Sequence, residues 1–319
     1  MTDNLPSVTV LIPTRPEQAE IPAVTAARAL DYPADKLEIL VARGKQPSIQ
    51  RNTGLKSARG ELIYFLDDDS VAPPGNLRCA IKHFRDPKVK IVGGPNVCPA
   101  DAPELEQVFA LVLSSWLAFG PSQARYASVG AVRESSEKEL ILCNLVARRD
   151  AMLELGGFNE ALYPNEENAL MDELQKRGGK LIYDPDLIVH RRPRASLKSF
   201  CKMLMIYGRG RAEQFRETPT LGSALNFVPP AFLVYLLALL PLVLFVSWFA
   251  LVPLALYALA VLLQVLALVP RGGVIRSFNA LPLIVSAHVL YGFGFWRGLS
   301  TRLKPPGECS NVPVKLERM

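Results

Sequence analysis

At 319 residues, half of them apolar and with a formal charge of +6, the chain is long enough for one large domain plus an appendage. Its five cysteines are odd in number and form no CxxC pair, which argues against a disulfide framework or a zinc site and for a reducing compartment. The N-terminal MTDNLPSVTV has no hydrophobic signal core, so no cleaved secretion signal is expected and the soluble part is expected in the cytoplasm.

Val8 to Ile12 is a β-branched, apolar strand candidate, broken by Pro13–Thr14–Arg15–Pro16–Glu17. Ile21 to Leu30 has helical composition, and Leu37 to Ala42 is a second strand. Ser48 to Ala58 reads as a helix ending near Arg59–Gly60, where glycine suits the position after the last turn. Leu62 to Leu66 is a third strand, and it runs straight into Asp67, Asp68, Asp69 and Ser70. Three carboxylates at a strand end repel one another in a low-dielectric setting. They are a solvated acidic loop, or they hold a hard cation such as Mg²⁺ together with substrate phosphates. Asn76 to Phe84 opens the next helix, and Val89 to Val92 is a strand closed by Gly93–Gly94–Pro95.

Strand and helix alternate at short spacing, the pattern of an α/β sheet with helices on both faces. In such sheets ligands bind outside the carboxyl ends of the strands. Pro13, Thr14, Glu17, Arg43 and Asp67 to Asp69 all fall at that edge. Neither GxGxxG nor GxxxxGK[ST] occurs, so neither a dinucleotide fingerprint nor a P-loop accounts for the site.

Leu105 to Phe119 is apolar and aromatic, either a core helix or a surface resting on a bilayer or lining an acceptor groove. Arg125 to Glu139 is polar and reads as a mobile loop. Gly156–Gly157–Phe158–Asn159–Glu160 ends a helix in a glycine turn. Asn165, Glu166 and Glu167 precede a helix over Ala169 to Arg177. Capping and the helix dipole account for one of these carboxylates and leave the other for chemistry. Leu181 to Val189 is a last strand, interrupted at Pro185 and ending in His190. That histidine is read as a polar residue closing a strand. Arg191, Arg192, Arg194, Lys198 and Lys202 are read as a solvated or lipid-facing basic face.

From Phe227 to Val269 no residue is charged, which is enough for two membrane helices. The expected division is a cytoplasmic domain over 1–225, transmembrane helices over 226–300 (about 230–248, 249–269 and 280–297) and a tail over 301–319. Pro241 and Pro253 are expected to kink the spans. Basic residues flank the first two spans on what should be the cytoplasmic side, whereas a full third span would carry Arg297, Arg302 and Lys304 outside.

Taken together, these pieces resemble the family 2 glycosyltransferases, inverting enzymes of the GT-A fold that use nucleotide sugars. The matching pieces are Val10–Thr14, Gln50–Arg51–Asn52–Thr53–Gly54, Ala58–Arg59–Gly60–Glu61, Phe65–Ser70, Gly156–Glu160, Glu166–Glu167 and His190, in order over about residues 7 to 192. Tyr207–Gly208–Arg209–Gly210–Arg211 before the spans looks like the succinoglycan-type subgroup. The resemblance implies a Rossmann-like nucleotide-diphospho-sugar transferase domain in which Pro13, Thr14 and Glu17 line the nucleoside pocket. It implies that Asp69 is the metal-binding member of a DxD motif for Mg²⁺ or Mn²⁺, with Asp67 or Asp68 near ribose and diphosphate. Glu167 stands where the family has its catalytic carboxylate, with Glu166 alongside, and His190 stands near the metal or diphosphate. Arg51, Arg209 and Arg211 are candidate phosphate contacts.

Two departures stand out. Arg43 occupies the place of an aspartate that recognises uracil, and the QxxRW motif of processive synthases is absent. The expected activity is non-processive transfer of one sugar from a nucleotide-sugar donor to a lipid-linked polyprenyl acceptor in polysaccharide assembly, at the inner membrane and without nucleic-acid partners. The rivals are a polyprenyl-phosphate sugar synthase, a catalytically inactive membrane scaffold and a nucleotidyltransferase.

Overall fold

The computed structural model describes residues 5–162, 165–217, 219, 221–303 and 313–319. The chain forms two compact units. The first takes in residues through Pro99, Ala124–Arg191 and the C-terminal strand; the second comprises Ala100–Gln123 and Arg192–Leu303.

The first unit is built on a mixed sheet. β1 (Val8–Thr14) is buried along its whole length and pairs in parallel with β2 (Leu37–Arg43) on one side and β3 (Leu62–Leu66) on the other. A strand buried on both faces needs apolar side chains throughout, which is why these runs are continuous rather than alternating. Successive side chains still alternate between layers. Val8, Val10, Ile12, Tyr64 and Leu66 enter one core, and Leu11, Ile63 and Phe65 the other. α1 (Pro22–Arg28) and α3 (Asn76–Ile81) cover the first face, and α2 (Pro47–Ser57) the second. Each fully buried Leu or Phe contributes about 1.5–3 kcal/mol to this layering.

β4 (Val89–Gly93) continues the sheet, and β5 (Asn96–Val97) leaves it. β6 (Arg133–Glu134) is an edge strand on the segment expected to be a mobile loop. That segment is instead held in place: Arg125 donates to Lys138 O at 2.9 Å and to Asn168 Oδ1 at 2.7 Å, and Arg133 pairs with Glu139 at 2.8 Å. β7 (Asn144–Arg148), which the sequence reading did not pick out, lies antiparallel between β3 and β4. α6 (Arg149–Glu154) and α7 (Glu166–Lys176) pack on the α2 face. The strand expected over Leu181 to Val189 divides at Asp184–Pro185. β8 (Lys180–Tyr183) joins β4 in parallel, whereas β9 (Val189–His190) pairs with β5 in a separate two-stranded ribbon. β10 (Lys315–Arg318) closes the far edge against β2, giving the order β10-β2-β1-β3-β7-β4-β8-β6.

The Gly156–Gly157 turn has a geometric cause. Both glycines have positive φ, 80° and 85°, a region that disfavours side chains. A Cβ on Gly157 would also lie 2.4 Å from Asn52 Oδ1. That asparagine clamps Phe158 through its backbone, accepting from N and donating to O at 2.8 Å each, and reaches Glu160 at 2.9 Å.

The second unit is helical: α4 (Glu104–Leu113), α5 (Trp116–Phe119), α8 (Leu197–Glu217), α9 (Val228–Phe245) and α10 (Val252–Ser300). Leu105 to Phe119 is thus two helices, with Phe109 and Val112 buried and Trp116 exposed. Among the described residues two helical stretches, Ala224–Phe245 and Trp248–Ser300, are long and apolar enough to cross a membrane. The second and third apolar runs form one element whose helical backbone breaks at Gly273, with φ +76°. Pro241 and Pro270 lie inside helices, but Pro253 sits in the first turn of α10, where proline is accommodated without a kink. Tyr235 bridges α9 to the start of α10, donating to Ala250 O at 2.8 Å and accepting from Leu254 N at 3.1 Å. Small residues let α8 and the end of α10 approach closely: a Cβ on Gly208 would lie 2.0 Å from Tyr291 O, and one on Gly294 2.1 Å from Met205 O.

Candidate active site

The carboxyl end of β3 delivers Asp67, Asp68 and Asp69 to the sheet edge, where Ser70 N donates to Asp67 O at 3.0 Å and turns the chain. Asp68 points back to β1 and accepts from Thr14 Oγ1 at 2.9 Å. Burial, and then the neighbouring Asp69 and Asp67 charges, raise its pKa, while the Thr14 bond opposes the rise.

Arg51, on α2, joins this cluster to the Glu166–Glu167 pair. Its two terminal nitrogens each lie 3.0 Å from a carboxylate, one on Asp67 Oδ1 and the other on Glu166 Oε1. The five donors of a guanidinium make such a two-ended bridge possible. Glu166 is 1% exposed. Burial first, then the Glu167 charge, push its pKa up to about 7 against the pull of Arg51. Its second oxygen is buried without a hydrogen-bond partner among the described residues. Glu167, the next residue on the first turn of α7, is half-buried. Asn165 precedes that helix but makes no side-chain cap; its oxygen accepts instead from Asn168 at 3.0 Å.

A second arginine reaches the same carboxylates. Arg191 NH1 lies 3.2 Å from Asp67 Oδ2, and its Nε donates to Asp69 Oδ1. The sequence reading placed Arg191 on a solvated basic face; the structure corrects this. Burial alone would lower its pKa, but the Asp67 and Asp69 charges more than offset that and hold the guanidinium charged. Arg192 is also paired, with Glu106 at 2.6 Å within the second unit, whereas Arg194, Lys198 and Lys202 are exposed as expected. Nothing in the basic run distinguishes Arg191; only the antiparallel pairing of Val71 with His190, 2.9 Å in both directions, brings it to Asp69.

In that pairing the His190 backbone fixes the segment after Ser70. Among the described residues no three of His, Cys, Asp and Glu converge as a ready metal cage. The donor chemistry of Asp67 and Asp69 does fit a hard cation. Both offer anionic oxygens, and the Asp69 side chain is 50% exposed, so phosphate oxygens could complete a shell there.

Pro13 and Thr14 end β1 and are buried, and Glu17 is exposed on the loop that follows. Gln50 holds the start of this loop through Thr14 O at 2.7 Å. Arg43 NH1 donates to Gln18 O at 2.7 Å and, more weakly, to Pro16 O and Arg15 O. Arg209 and Arg211 belong to α8 of the second unit, where Arg209 lies 3.4 Å from Glu213 and Arg211 donates to Gln214 at 3.1 Å.

The mixed α/β sheet resembles that of GT-A glycosyltransferases. It resembles the mannosyltransferase PcManGT from Pyrobaculum calidifontis, solved with GDP-Man and Mn²⁺, at a TM-score of 0.58 and 18% identity, covering 89% of this chain and 86% of that one. TarS from S. aureus, solved with UDP, is more distant, at a TM-score of 0.44 and 12% identity over 97% of this chain and 96% of that one. The pre-mycofactocin glycosyltransferases of two Mycobacterium tuberculosis strains, CDC 1551 / Oshkosh and ATCC 25618 / H37Rv, are each 28% identical over 168 residues, which is 53% of this chain. The match spans 34% of the length of those relatives. Residues 62–270 match the family described as glycosyl transferase family group 2, and the chain belongs to that family.

Proposed function

We propose that this chain is a membrane-attached, non-processive inverting glycosyltransferase that moves one sugar from a nucleotide-sugar donor to a lipid-linked acceptor in glycan assembly. The observation that carries the reading is the Arg51 bridge, which puts the Asp67–Asp69 cluster and the Glu166–Glu167 pair within the span of one guanidinium. A donor diphosphate and an acceptor hydroxyl need two such groups close together, one for the leaving charge and one for the proton.

The donor nucleoside lies against Pro13, Thr14 and Glu17, with its diphosphate toward Asp69 and Arg51. Mg²⁺ or Mn²⁺, held by Asp69 with Asp67, would supply Lewis-acid stabilisation of the departing diphosphate. Glu167 accepts the proton from the acceptor hydroxyl as its oxygen bonds to the anomeric carbon. The bond from that carbon to the phosphate oxygen breaks, and the electron pair leaves with the nucleoside diphosphate. Attack from the face opposite the leaving group inverts the centre. Glu166 touches neither reactant: it fixes Arg51. The apolar helices keep the catalyst in the plane of a lipid acceptor, raising effective concentration.

The test is transfer from a panel of nucleotide sugars in membranes, with and without Mg²⁺ or Mn²⁺, by the wild type, Asp69→Asn and Glu167→Gln. Loss of transfer in both variants with folding intact is expected. Full activity of Glu167→Gln would move the acceptor to a lipid phosphate, which needs no base. Failure of every donor in every metal would sink the reading.

A further inference from the structure

The Asp67–Asp69 cluster already holds a cation. Arg191 spans it, with NH1 on Asp67 and Nε on Asp69, while Arg51 reaches the other oxygen of Asp67. The backbone of Arg191 is fixed, because its N–H donates to Val97 O at 3.0 Å and His190 is paired with Val71. Its side chain is 23% exposed and meets Asp69 at the exposed edge of the cluster. Releasing Asp69 therefore asks the Arg191 side chain alone to move, with its backbone pairing kept.

We propose that Arg191 is a resident counter-cation which a divalent cation displaces from Asp69, and which then pairs with the donor diphosphate. This rests on the nucleotide-sugar reading above. The argument is one of charge. Arg191 pairs with both Asp67 and Asp69, so a divalent cation that takes Asp69 without a nucleotide breaks one of these pairs and sits beside a guanidinium left with Asp67 alone. Arriving with a diphosphate it meets no such obstacle, because the displaced Arg191 gains phosphate oxygens, which a guanidinium binds in a fork. Cation and nucleotide thus raise each other's affinity by the same factor, as linkage requires, and Arg191 is the group that couples them. A purely structural Arg191 would do no more than tie the Val71–His190 pairing to β3.

The experiment is Mn²⁺ binding to the full-length protein in nanodiscs, read from the free-ion electron paramagnetic resonance signal. Titrations are run without nucleotide and with UDP or GDP. Wild type is expected to bind Mn²⁺ weakly alone and much more tightly with one of the nucleotides. Arg191→Ala is expected to bind Mn²⁺ alone about tenfold more tightly, the effect of removing one partly screened unit charge beside the ion. Its gain on adding nucleotide shrinks in proportion. Arg191→Lys keeps the charge and loses the fork, so it should exclude Mn²⁺ like wild type yet show a smaller nucleotide gain; it also serves where the alanine variant does not fold. Unchanged or weaker nucleotide-free binding in Arg191→Ala, with a wild type that does bind Mn²⁺ in the presence of nucleotide, overturns the role of Arg191 alone. A wild type that binds Mn²⁺ under none of these conditions overturns the metal reading, and this inference with it.

Discussion

Arg43 and Glu317 form an ion pair of 2.9 Å at the edge of the sheet, between β2 and the C-terminal strand. The same guanidinium holds the loop after β1 through the carbonyls of Arg15, Pro16 and Gln18. Arg43 stands where relatives are expected to carry a base-reading aspartate, yet here its donors are turned to the protein's own backbone. The expected consequence is that Glu317 sets the shape of the nucleoside pocket without touching the nucleoside. The pair is screened by solvent, so Glu317→Gln should raise the donor KM only modestly and leave kcat near its wild-type value. Arg43→Ala, which also releases the three carbonyls, should raise it further. A fall in kcat at unchanged KM would show that the pair acts elsewhere.

The same strand constrains how the proposed membrane helices would cross a bilayer. β10 pairs antiparallel with β2, Leu316 opposite Ala42 and Glu317 opposite Val41, inside the unit that carries the carboxylate cluster. Chain that leaves a domain on one side of a bilayer and returns to its sheet must cross an even number of times. The third apolar run, expected over 280–297, packs along α8, whose Lys202, Arg209, Arg211 and Arg216 are unsuited to a lipid interior. The expected arrangement is two crossings, by α9 and by α10 up to its break at Gly273, with the remainder of α10 lying along the surface. Reporters fused after Met319 and inserted near Gly272 should both lie on the side of the N-terminus, and one at Ser247 on the opposite side. A Met319 reporter on the far side would refute the even count.

How much of this was readable in advance depends on where the information sits. β1, β2 and β3 are legible because burial on both faces demands continuous apolar runs, and the three aspartates follow the last of them directly. β7 is harder to read, since its five residues begin with Asn144 and end with Arg148, and its apolar signal merges with Leu140 to Cys143. β10 carries three charges in four residues and has no strand pattern; it is held by its ladder to β2, by Leu316 against the core, and by the Arg318–Glu38 pair at 2.8 Å and the Arg43–Glu317 pair. Such pairing is decided by the edge it joins. Arg51 stood out through its motif. Arg191 looked like its basic neighbours, and only the Val71–His190 bridge tells it apart.

The Arg51–Glu166 contact should give the activity its acid limb. Glu166 titrates at about 7, raised by burial and by Glu167. Below that pH it takes up a proton, and the Glu166 end of the Arg51 bridge changes from an ion pair to a neutral contact. Arg51 is then held only toward the aspartates, and the geometry linking the two carboxylate groups loosens. Activity should therefore rise with pH through about 7 and level off above it. Glu166→Gln mimics the protonated form at every pH, so its kcat/KM should be low and flat across that range, approaching the wild-type value on the acid side. Glu167→Gln removes the neighbouring charge, so any residual activity should show its inflection at a lower pH. The measurement is kcat/KM from pH 5 to 9 for the three proteins at saturating Mn²⁺. A wild-type limb that persists in Glu166→Gln would assign the titration to another group and leave the buried glutamate with a structural part only.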